Sequence, residues 1–318
     1  MATINGSNLV AGMGCLQVFD SEILIKTSEI AAAMTLEALL PNMLAYDERL
    51  HKARGYEGAV ECAENVRKIV EGSEILKQKP QKVQESYSLR STPQVVGAAK
   101  DTLKFSRKMF EIEINGVGDN PIFLQDDGGI CLTGANFQGT PLAFALEYLG
   151  ISLTTIGALS ERRVNRLVNP NLNMGLPAFL TRGAGMFSGM MLAQYTAASL
   201  VCENRVLSTP AATGSIPTAA DQEDFVSMAM TTAIKTKEIL KNSTAIFAIE
   251  LMAAAQALDF RKPLKPGKGT QAAYDAIRQH AKHLDEDRPL YTDIIKLSKA
   301  VGSGEILEAV EGTVGKLK

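Results

Sequence analysis

Residues 141–168 decide the fold, and they read PLAFALEYLGISLTTIGALSERRVNRLV. This stretch predicts a single long helix. Pro141 stands at the first helical position, where its missing N–H costs nothing. The arginines near the end suit the negative end of the helix dipole. Two more long helices are predicted over residues 188–207 and 222–260. Three long helices in succession, with almost no strand, indicate an all-α fold, an elongated long-helix bundle.

Shorter elements surround these three helices. Apolar residues repeat at the helical period in several more segments, predicted over residues 20–54 (with a break at Pro41), 57–71, 94–114, 270–285 and 291–312. Two apolar triplets around a turn predict one hairpin, at residues 122–124 and 130–132. The remaining segments are predicted to be irregular, namely residues 1–20, 77–93, 169–187 and 208–221.

Residues 261–267 have the composition of a linker, with two prolines and a glycine among basic residues. This linker divides the chain into two predicted parts. Residues 1–262 form a central helical-bundle domain, and residues 263–318 form a small helical segment. The apolar, Ala- and Met-rich surfaces of the long helices predict contact with other subunits, so we expect an oligomer.

The composition excludes several classes of protein. The net charge of −2 lacks the excess of basic residues that is typical of proteins that bind nucleic acid or an anionic membrane surface. The apolar run at residues 246–252 contains Glu250 and is too short for a membrane span, and no basic and apolar leader opens the chain. The four cysteines are scattered without a CxxC pair, which favours reduced thiols and argues against a zinc site. We expect a cytoplasmic protein.

The stretch Tyr87–Gln94 lies between two predicted helices and contains a candidate site. The Arg90 guanidinium can hold a carboxylate in a fork of two hydrogen bonds. The Tyr87 phenol can donate a hydrogen bond or transfer a proton. A plain loop with a surface arginine would contain the same residues. The interpretation therefore depends on three other polar stretches that fit the same site, at residues 115–121, 134–141 and 221–228.

Eight short stretches along the chain form a recurring set, namely Ile4–Gly6, Tyr87–Gln94, Asn115–Pro121, Gly134–Pro141, Leu159–Arg163, Gly175–Leu180, Glu203–Asn204 and Gln222–Met228. In this order they resemble the aromatic amino-acid ammonia-lyase family, the histidine, phenylalanine and tyrosine ammonia-lyases, over essentially the whole chain. The histidine enzymes are the most similar. The resemblance implies a long-helix bundle of the ammonia-lyase and fumarase-like type, assembled as a tetramer-like oligomer whose sites combine several chains.

The resemblance also implies a chemistry. These enzymes eliminate ammonia from an amino acid to give an α,β-unsaturated acid, such as urocanate from L-histidine. Their electrophile is a methylidene-imidazolone group (MIO, 4-methylidene-imidazole-5-one), which forms by cyclisation of an Ala-Ser-Gly tripeptide. It activates the amine for departure while a base removes a β-proton. The resemblance implies no metal.

Matching positions transfer the family's site residues to this sequence. Tyr87 matches a tyrosine near the MIO group, and Arg90 matches the arginine that pairs with the substrate carboxylate. Glu223 matches an acid that contacts the substrate's amine or ring, and Phe137 an aromatic that packs on the substrate. Asn5 matches an asparagine beside the MIO group, and Gln222 is expected to contact the substrate. Asn115 and Asn136 are expected to support these residues from behind.

Each of these residues also has a plain structural interpretation. Glu223 opens the predicted helix 222–260, where the dipole would keep a carboxylate ionised, but an acid is favoured at any helix start. Phe137 taken alone would be a core residue. Arg162 and Arg163 are interpreted as salt-bridge residues of the bundle.

The tripeptide Ala-Ser-Gly does not occur in these 318 residues. The expectation is therefore that a separate N-terminal polypeptide carries the MIO group and that this chain supplies the substrate-binding groups. A shortened piece of an enzyme, or an inactive relative that acts as a scaffold or regulator, would have the same sequence feature. A fumarase-like lyase is a weaker interpretation, because the Gly-Ser-Ser-x-Met-Pro type of loop is absent.

Two further features bear on the substrate and on metals. Gln138 and Thr140 match the plant phenylalanine enzymes, and Phe225 stands where histidine enzymes often have histidine, so these positions argue against histidine as the substrate. Glu223 argues for histidine, because an acid suits a ring with N–H donors.

His280 and His283 are three residues apart on a predicted helix, which is a possible metal pair. The segment is charged and offers no third ligand, so a solvated helix face is the preferred interpretation.

Overall fold

The computed structural model describes residues 5–80, 82–125 and 128–318. In these residues the chain forms eleven α-helices and one two-stranded antiparallel sheet. The helices are α1 (Asn8–Leu39), α2 (Glu48–Arg54), α3 (Glu57–Ile69), α4 (Tyr87–Arg90), α5 (Thr92–Asn115), α6 (Thr140–Val168), α7 (Met191–Leu207), α8 (Ala229–Asp259), α9 (Lys268–His280), α10 (Tyr291–Gly302) and α11 (Glu305–Val314). Strands β1 (Ile122–Leu124) and β2 (Ile130–Leu132) form the predicted hairpin. The all-α long-helix bundle is confirmed.

The first helix begins earlier than the sequence predicted. Residues 8–20 were expected to be irregular, but they are the first turns of α1. Val10, Gly14 and Val18 are buried and recur every fourth residue, which is the spacing of one helix face. The predicted break at Pro41 is confirmed, because α1 ends at Leu39 and Leu40 takes a left-handed conformation with φ of 53°.

The last long helix begins later than predicted. Helix α8 starts at Ala229, so residues 222–228 are not its first turns. Three consecutive residues before them, Ala219, Ala220 and Asp221, have positive φ values of 51°, 54° and 66°. These left-handed residues turn the chain back on itself, so that Glu223 pairs with Thr218 and does not open a helix. Residues 208–228 therefore form one long loop, which ends where α8 begins.

The core lies where α1, α5, α6 and α8 pack against one another. Helix α8 buries a run of alanines completely, including Ala253, Ala254 and Ala255. Helix α1 does the same with residues 31–33. Small side chains let helix backbones approach closely, and the larger buried residues of α6, such as Leu146 and Leu149, fill the remaining space.

A buried ion pair joins these four helices. Arg163 of α6 donates two hydrogen bonds to the Glu250 carboxylate of α8, from Nε to Oε1 at 2.5 Å and from Nη2 to Oε2 at 2.7 Å. Ser160 Oγ and Thr35 Oγ1 donate to the same carboxylate at 2.6 and 2.8 Å. Arg163 Nη1 also donates to Thr92 Oγ1 at 3.4 Å. Burial alone would lower the pKa of Arg163, but the charge of Glu250 and the hydrogen bonds to it raise that pKa above its ordinary value. The interpretation of Arg163 as a bundle salt bridge is confirmed.

The segment after residue 262 is tied to the bundle by Asp259, at the end of α8. Its carboxylate accepts hydrogen bonds from Lys262 Nζ at 2.7 Å, Tyr274 Oη at 2.6 Å and Arg278 Nη2 at 2.5 Å, and pairs with His283 Nδ1 at 2.7 Å. Burial alone would raise the pKa of Asp259, but hydrogen bonds from Lys262, Tyr274 and His283 and the charge of Arg278 lower it to about 2. The division into parts at residue 262 stays a prediction.

Two helices, α1 and α6, are long and apolar enough to cross a membrane by length and composition. Both helices place charged side chains inside the bundle, with Glu29 and Glu37 of α1 and Arg163 of α6 buried. Glu29 pairs with Lys100 of α5 and Arg163 with Glu250 of α8, whereas Glu37 accepts the N–H of Gly267. Buried charges with partners in neighbouring helices are typical of core helices in a packed protein.

We expect Arg163→Met to lower the free energy of unfolding by about 3–5 kcal/mol, because it leaves the Glu250 carboxylate buried without its counter-charge. Urea denaturation followed by circular dichroism measures the change. The matched control is Lys241→Met, which removes the exposed pair with Glu238 on α8 and should cost under about 1 kcal/mol. Equal losses in the two variants would show that the buried pair has no special role.

Acid should weaken the attachment of the carboxyl-terminal helices. Because the pKa of Asp259 is about 2 in the folded chain and about 3.9 in an unfolded one, its contribution is complete above about pH 4. It is lost as the pH falls towards about 2. In Asp259→Asn the free energy of unfolding should therefore decline less steeply over this interval, while the exposed Asp275→Asn should decline as the unmodified chain does. Parallel slopes in all three proteins would contradict the assignment.

Candidate functional site

Three of the predicted polar stretches meet at the start of α6. Ser7 Oγ donates to the Phe137 carbonyl at 3.2 Å, and Gln138 Nε2 donates to the Phe225 carbonyl at 3.4 Å. Gly139 lies between the stretches, since a Cβ added there would lie 2.9 Å from Ser7 Oγ and 3.1 Å from Ser227 Oγ. We call residues 5–7, 137–139 and 223–227 together the α6-start cluster.

Phe137 and Asn5 present their side chains within this cluster. The Phe137 side chain is 43% exposed in the single chain, so the interpretation of Phe137 as a core residue is wrong. Asn5 is half-buried, and its side chain has no hydrogen-bond partner in the part of the chain that the structure describes. An aromatic face and a free amide are therefore both available to a bound molecule.

Glu223 lies in the loop and not at the start of a helix, so its predicted stabilisation by the α8 dipole is wrong. The main chains of Glu223 and Thr218 exchange two hydrogen bonds, at 2.9 and 3.2 Å. Thr218 Oγ1 also donates to Glu223 Oε2 at 2.6 Å. This bridge fixes an exposed carboxylate two residues before Phe225. Gln222 is exposed beside it, and its N–H donates to the Ala219 carbonyl at 3.2 Å.

The two asparagines expected in support lie close to the hairpin. Asn136 Nδ2 donates to the Val117 carbonyl at 3.3 Å, which ties the loop before α6 to the loop after α5. Asn115 ends α5, and its Nδ2 donates to the Glu111 carbonyl of the same helix at 2.8 Å. Asn136 therefore supports the cluster through a neighbouring loop. The contact of Asn115 is local to α5, and its supporting role stays a prediction.

Tyr87 and Arg90 lie on α4, a single helical turn that we call the arginine arm. Tyr46 Oη donates to the Leu89 carbonyl at 2.6 Å inside the core, which fixes the arm on the bundle. The Arg90 guanidinium lies 4.7 Å from the centre of the Tyr87 ring, and the ring is 73% exposed. Within the described residues Arg90 has no carboxylate partner, and its Nε is buried without a hydrogen bond. The arm therefore offers an unmatched cation beside an exposed phenol.

The arginine arm and the α6-start cluster lie at opposite ends of α6. Arg163, near the end of α6, contacts Thr92, the residue that begins α5 directly after the arm. The cluster surrounds Gly139, just before Thr140 begins the same helix. The 23 residue-to-residue steps from Thr140 to Arg163 span about 35 Å at about 1.5 Å per step. No amino acid reaches across that distance, so Arg90 and Glu223 of one chain cannot contact the same small molecule.

Glu147 lies outside every predicted site stretch, but the structure connects it to this site. It is a buried acid in an otherwise apolar part of α6, and it accepts hydrogen bonds from the loop that carries Glu223. A lone charge on the apolar face of a predicted helix was the available signal. Ser227 lies in the quoted stretch Gln222–Met228 without a role of its own, and Ser7 directly follows the stretch Ile4–Gly6.

The two histidines do not form a pair. His280 is the last residue of α9 and contacts Glu305 through Nε2 at 2.6 Å, whereas His283 lies beyond the helix and contacts Asp259. The prediction that both lie on one helix is wrong. Across residues 5–80, 82–125 and 128–318, no group of three or more His, Cys, Asp or Glu side chains is arranged to hold a metal ion.

Comparison with known proteins links the geometry to a family. A sequence profile of the aromatic amino acid lyases matches residues 1–279. Histidine ammonia-lyase of Alkaliphilus oremlandii is 47% identical over 315 residues, which cover 99% of this chain and 62% of the relative. This chain thus spans about three fifths of the length of the curated relatives it matches.

Solved structures agree with this assignment. Histidine ammonia-lyase from Trypanosoma cruzi superposes with a TM-score of 0.91 at 33% identity, covering 97% of this chain and 58% of that one. Tyrosine aminomutase from Streptomyces globisporus superposes with a TM-score of 0.94 at 36% identity, covering 100% of this chain and 64% of that one. The long-helix bundle described above is the fold that these enzymes share with this chain.

We expect Gly139→Ala to loosen the α6-start cluster, because its Cβ would lie 2.9 Å from Ser7 Oγ and 3.1 Å from Ala229 Cβ. The stretches must then move apart by a few tenths of an ångström, at a cost of about 1–3 kcal/mol. Thermal unfolding and hydrogen exchange of residues 5–10 measure the effect. The control is Gly134→Ala in the same loop, where the added Cβ has nothing within 4 Å. Unchanged exchange in Gly139→Ala would contradict the packing described.

Proposed function

The chain belongs to the aromatic amino acid lyase family, and from this premise we propose that it supplies the substrate-binding groups of an ammonia-lyase acting on L-histidine. The reaction releases ammonia and leaves urocanate, an α,β-unsaturated acid. The curated relatives that match at 41–47% identity are histidine ammonia-lyases, which supports this substrate. The Glu223 carboxylate also favours it, because an acid can accept a hydrogen bond from an imidazole N–H.

The observation that carries the proposal is the separation of the two groups of site residues along α6. Each copy of the chain offers an arginine arm at one end and an α6-start cluster at the other. A complete site forms when the arm of one copy meets the cluster of another. The exposed apolar side chains of α1, Leu9, Leu16 and Phe19, are 64%, 67% and 63% exposed. They lie at helical spacing on the half of α1 that begins next to the cluster, which supports self-association into a tetramer-like bundle.

Each site residue has a role in this arrangement. The Arg90 guanidinium, which has no internal carboxylate partner, holds the substrate carboxylate in a fork. Tyr87 stands beside it as a proton donor or acceptor. Phe137 packs its exposed face on the substrate ring, and Glu223 accepts a hydrogen bond from the ring or the amine. Asn5 and Gln222 complete the polar wall of the cluster.

The family's prosthetic group supplies the electrophile that activates the amine for departure. The residues present fit such a group, because the Asn5 amide and the Tyr87 hydroxyl have no hydrogen-bond partners in the described residues. The Ala-Ser-Gly tripeptide is absent from these 318 residues. We propose that a separate N-terminal polypeptide supplies it in the cytoplasm, and that the chain described here binds and orients the amino acid.

A non-catalytic scaffold is the second candidate, and the absent tripeptide is the observation that favours it. In that case the arm and the cluster would bind an amino acid without eliminating ammonia.

One contact favours a substrate other than histidine. Thr140 Oγ1 donates to Gln138 Oε1 at 3.1 Å, so these two polar side chains satisfy each other. This pair makes the wall beside Phe137 less available to a polar ring.

The first experiment is to isolate the protein from its own cells, measure its native mass and assay it with L-histidine. Ammonia and urocanate formed by an assembly that contains a second chain with Ala-Ser-Gly would support the whole proposal. The same activity in a single longer polypeptide would overturn the separate chain and keep the function. An inactive assembly with a mass that is a multiple of 34.1 kDa would favour the scaffold.

We expect two inactive variants to complement each other. Arg90→Gln and Glu223→Gln should each lower kcat/KM at least about a hundredfold, because each removes a charged partner of the substrate. Assemblies reformed from an equal mixture should regain about a quarter of the activity, because random association places one intact arm opposite one intact cluster in that fraction of sites. Mixing Arg90→Gln chains with Gly134→Ala chains, which have an intact arm and an intact cluster, controls for dilution. Absence of any recovery would show that the two groups of residues do not combine across copies.

A further inference from the structure

The buried carboxylate of Glu147 connects helix α6 to the loop formed by residues 208–228. Its Oε1 accepts the N–H of Ala211 at 2.6 Å and the N–H of Ala212 at 3.1 Å. Thr232 Oγ1 of α8 donates to the same oxygen at 3.1 Å. Lys235 Nζ lies 3.1 and 3.3 Å from the two carboxylate oxygens. One side chain therefore collects donors from the loop and from α8.

A buried carboxylate is costly unless its charge is matched and its oxygens are hydrogen-bonded. Lys235 supplies the opposite charge, and the same ammonium group donates to the Thr209 carbonyl at 2.5 Å. The beginning of the loop is thus held at three successive points, at residues 209, 211 and 212. An apolar side chain at position 147 would fill the same space. The function of the Glu147–Lys235 pair is therefore to hold the beginning of the loop.

The fixed beginning of the loop determines the position of Glu223. After Ala212 the chain passes through the three left-handed residues 219–221 and returns on itself. The Thr218–Glu223 bridge closes this return, and the Val226 N–H donates to Ser215 Oγ at 2.8 Å. The two sides of the loop are therefore hydrogen-bonded to each other. The Gly214 N–H donates to the Ala211 carbonyl at 3.0 Å, which connects the fixed residues to the part of the loop that contains the bridge.

We propose that Glu147 is a positioning residue that latches the loop of residues 208–228 and so sets the place of the Glu223 carboxylate in the site. The inference rests on the proposed function for the role of Glu223. The latch itself is a property of the folded chain. It is therefore measured first without substrate, and its failure is distinguishable from failure of the proposed function.

Hydrogen exchange of the loop amides in the unmodified chain and in Glu147→Gln tests the latch. The amide side chain keeps one oxygen but loses the charge that strengthens the hydrogen bonds from Ala211 and Ala212. We expect exchange at these amides to accelerate about ten- to hundredfold. The amides of Thr218 and Glu223, which do not touch Glu147, should accelerate in parallel, because the motion is transmitted through the loop.

Two further variants keep this test decisive. Thr232→Val removes one donor to Glu147 without leaving an unpaired charge, and it should give a smaller acceleration of the same amides. Glu311→Gln is the matched control, since Glu311 is also buried and accepts a main-chain N–H, from Leu317 at 3.0 Å, far from the loop. Acceleration confined to residues 211 and 212, or acceleration in the control as well, would overturn the transmitted latch.

Turnover of L-histidine by the complete assembly, measured as kcat and KM, then tests the positioning role. Glu147→Gln should lower kcat/KM about tenfold in the unmodified background and not at all in a Glu223→Gln background, because it acts through Glu223. Additive losses would mean that Glu147 only stabilises the fold, and they would overturn its positioning role. An unmodified assembly that does not turn over L-histidine would overturn the proposed function, while the exchange of Thr218 and Glu223 would still decide the latch.

Discussion

The ion pair between Arg163 and Glu250 is the interaction on which the rest of the bundle depends. It is fully buried, the Glu250 carboxylate accepts hydrogen bonds from α1 and α6, and Arg163 donates one to α5. An apolar contact would tolerate sliding of the helices, whereas a fork of two hydrogen bonds between charged groups has one geometry. The register of the long helices is therefore set at one point near the end of α6. Thr92, which contacts the same arginine, begins α5 directly after the arginine arm.

Helix α6 separates the candidate site residues of one chain into two groups. The arginine arm is fixed near the end of this helix, and the α6-start cluster surrounds its beginning, with about 35 Å between them at about 1.5 Å per residue. Neither end contains the full set of groups that an amino acid requires. In the proposed assembly, the same helix that separates the groups within one chain presents each of them to a neighbouring copy. The loop that carries Glu223 is longer and less regular than the arm, and Glu147 restrains it from the helix side.

Much of the fold was predictable from local sequence. The span of α6, the hairpin and the break at Pro41 follow from apolar periodicity, turn residues and proline geometry. The start of α1 was missed because its short apolar spacing lies after a turn signal. Residues 222–228 were assigned to α8 because nothing in the composition reveals three left-handed residues before them. The site residues were identified as a set from a family resemblance, but their distance from one another depends on packing that no short motif records.

The separation along α6 has a consequence for how such a protein diversifies. On the proposed assignment, the end with Arg90 meets the carboxylate that all amino acids share, and the end with Phe137 and Glu223 meets the side chain that distinguishes them. Within one chain the two ends are far apart, so a substitution at the end with Phe137 and Glu223 leaves the fold around Arg90 in place. Related proteins can therefore differ in the amino acid they accept through changes in the α6-start cluster alone. The arginine arm, which meets the carboxylate common to all amino acids, can stay the same.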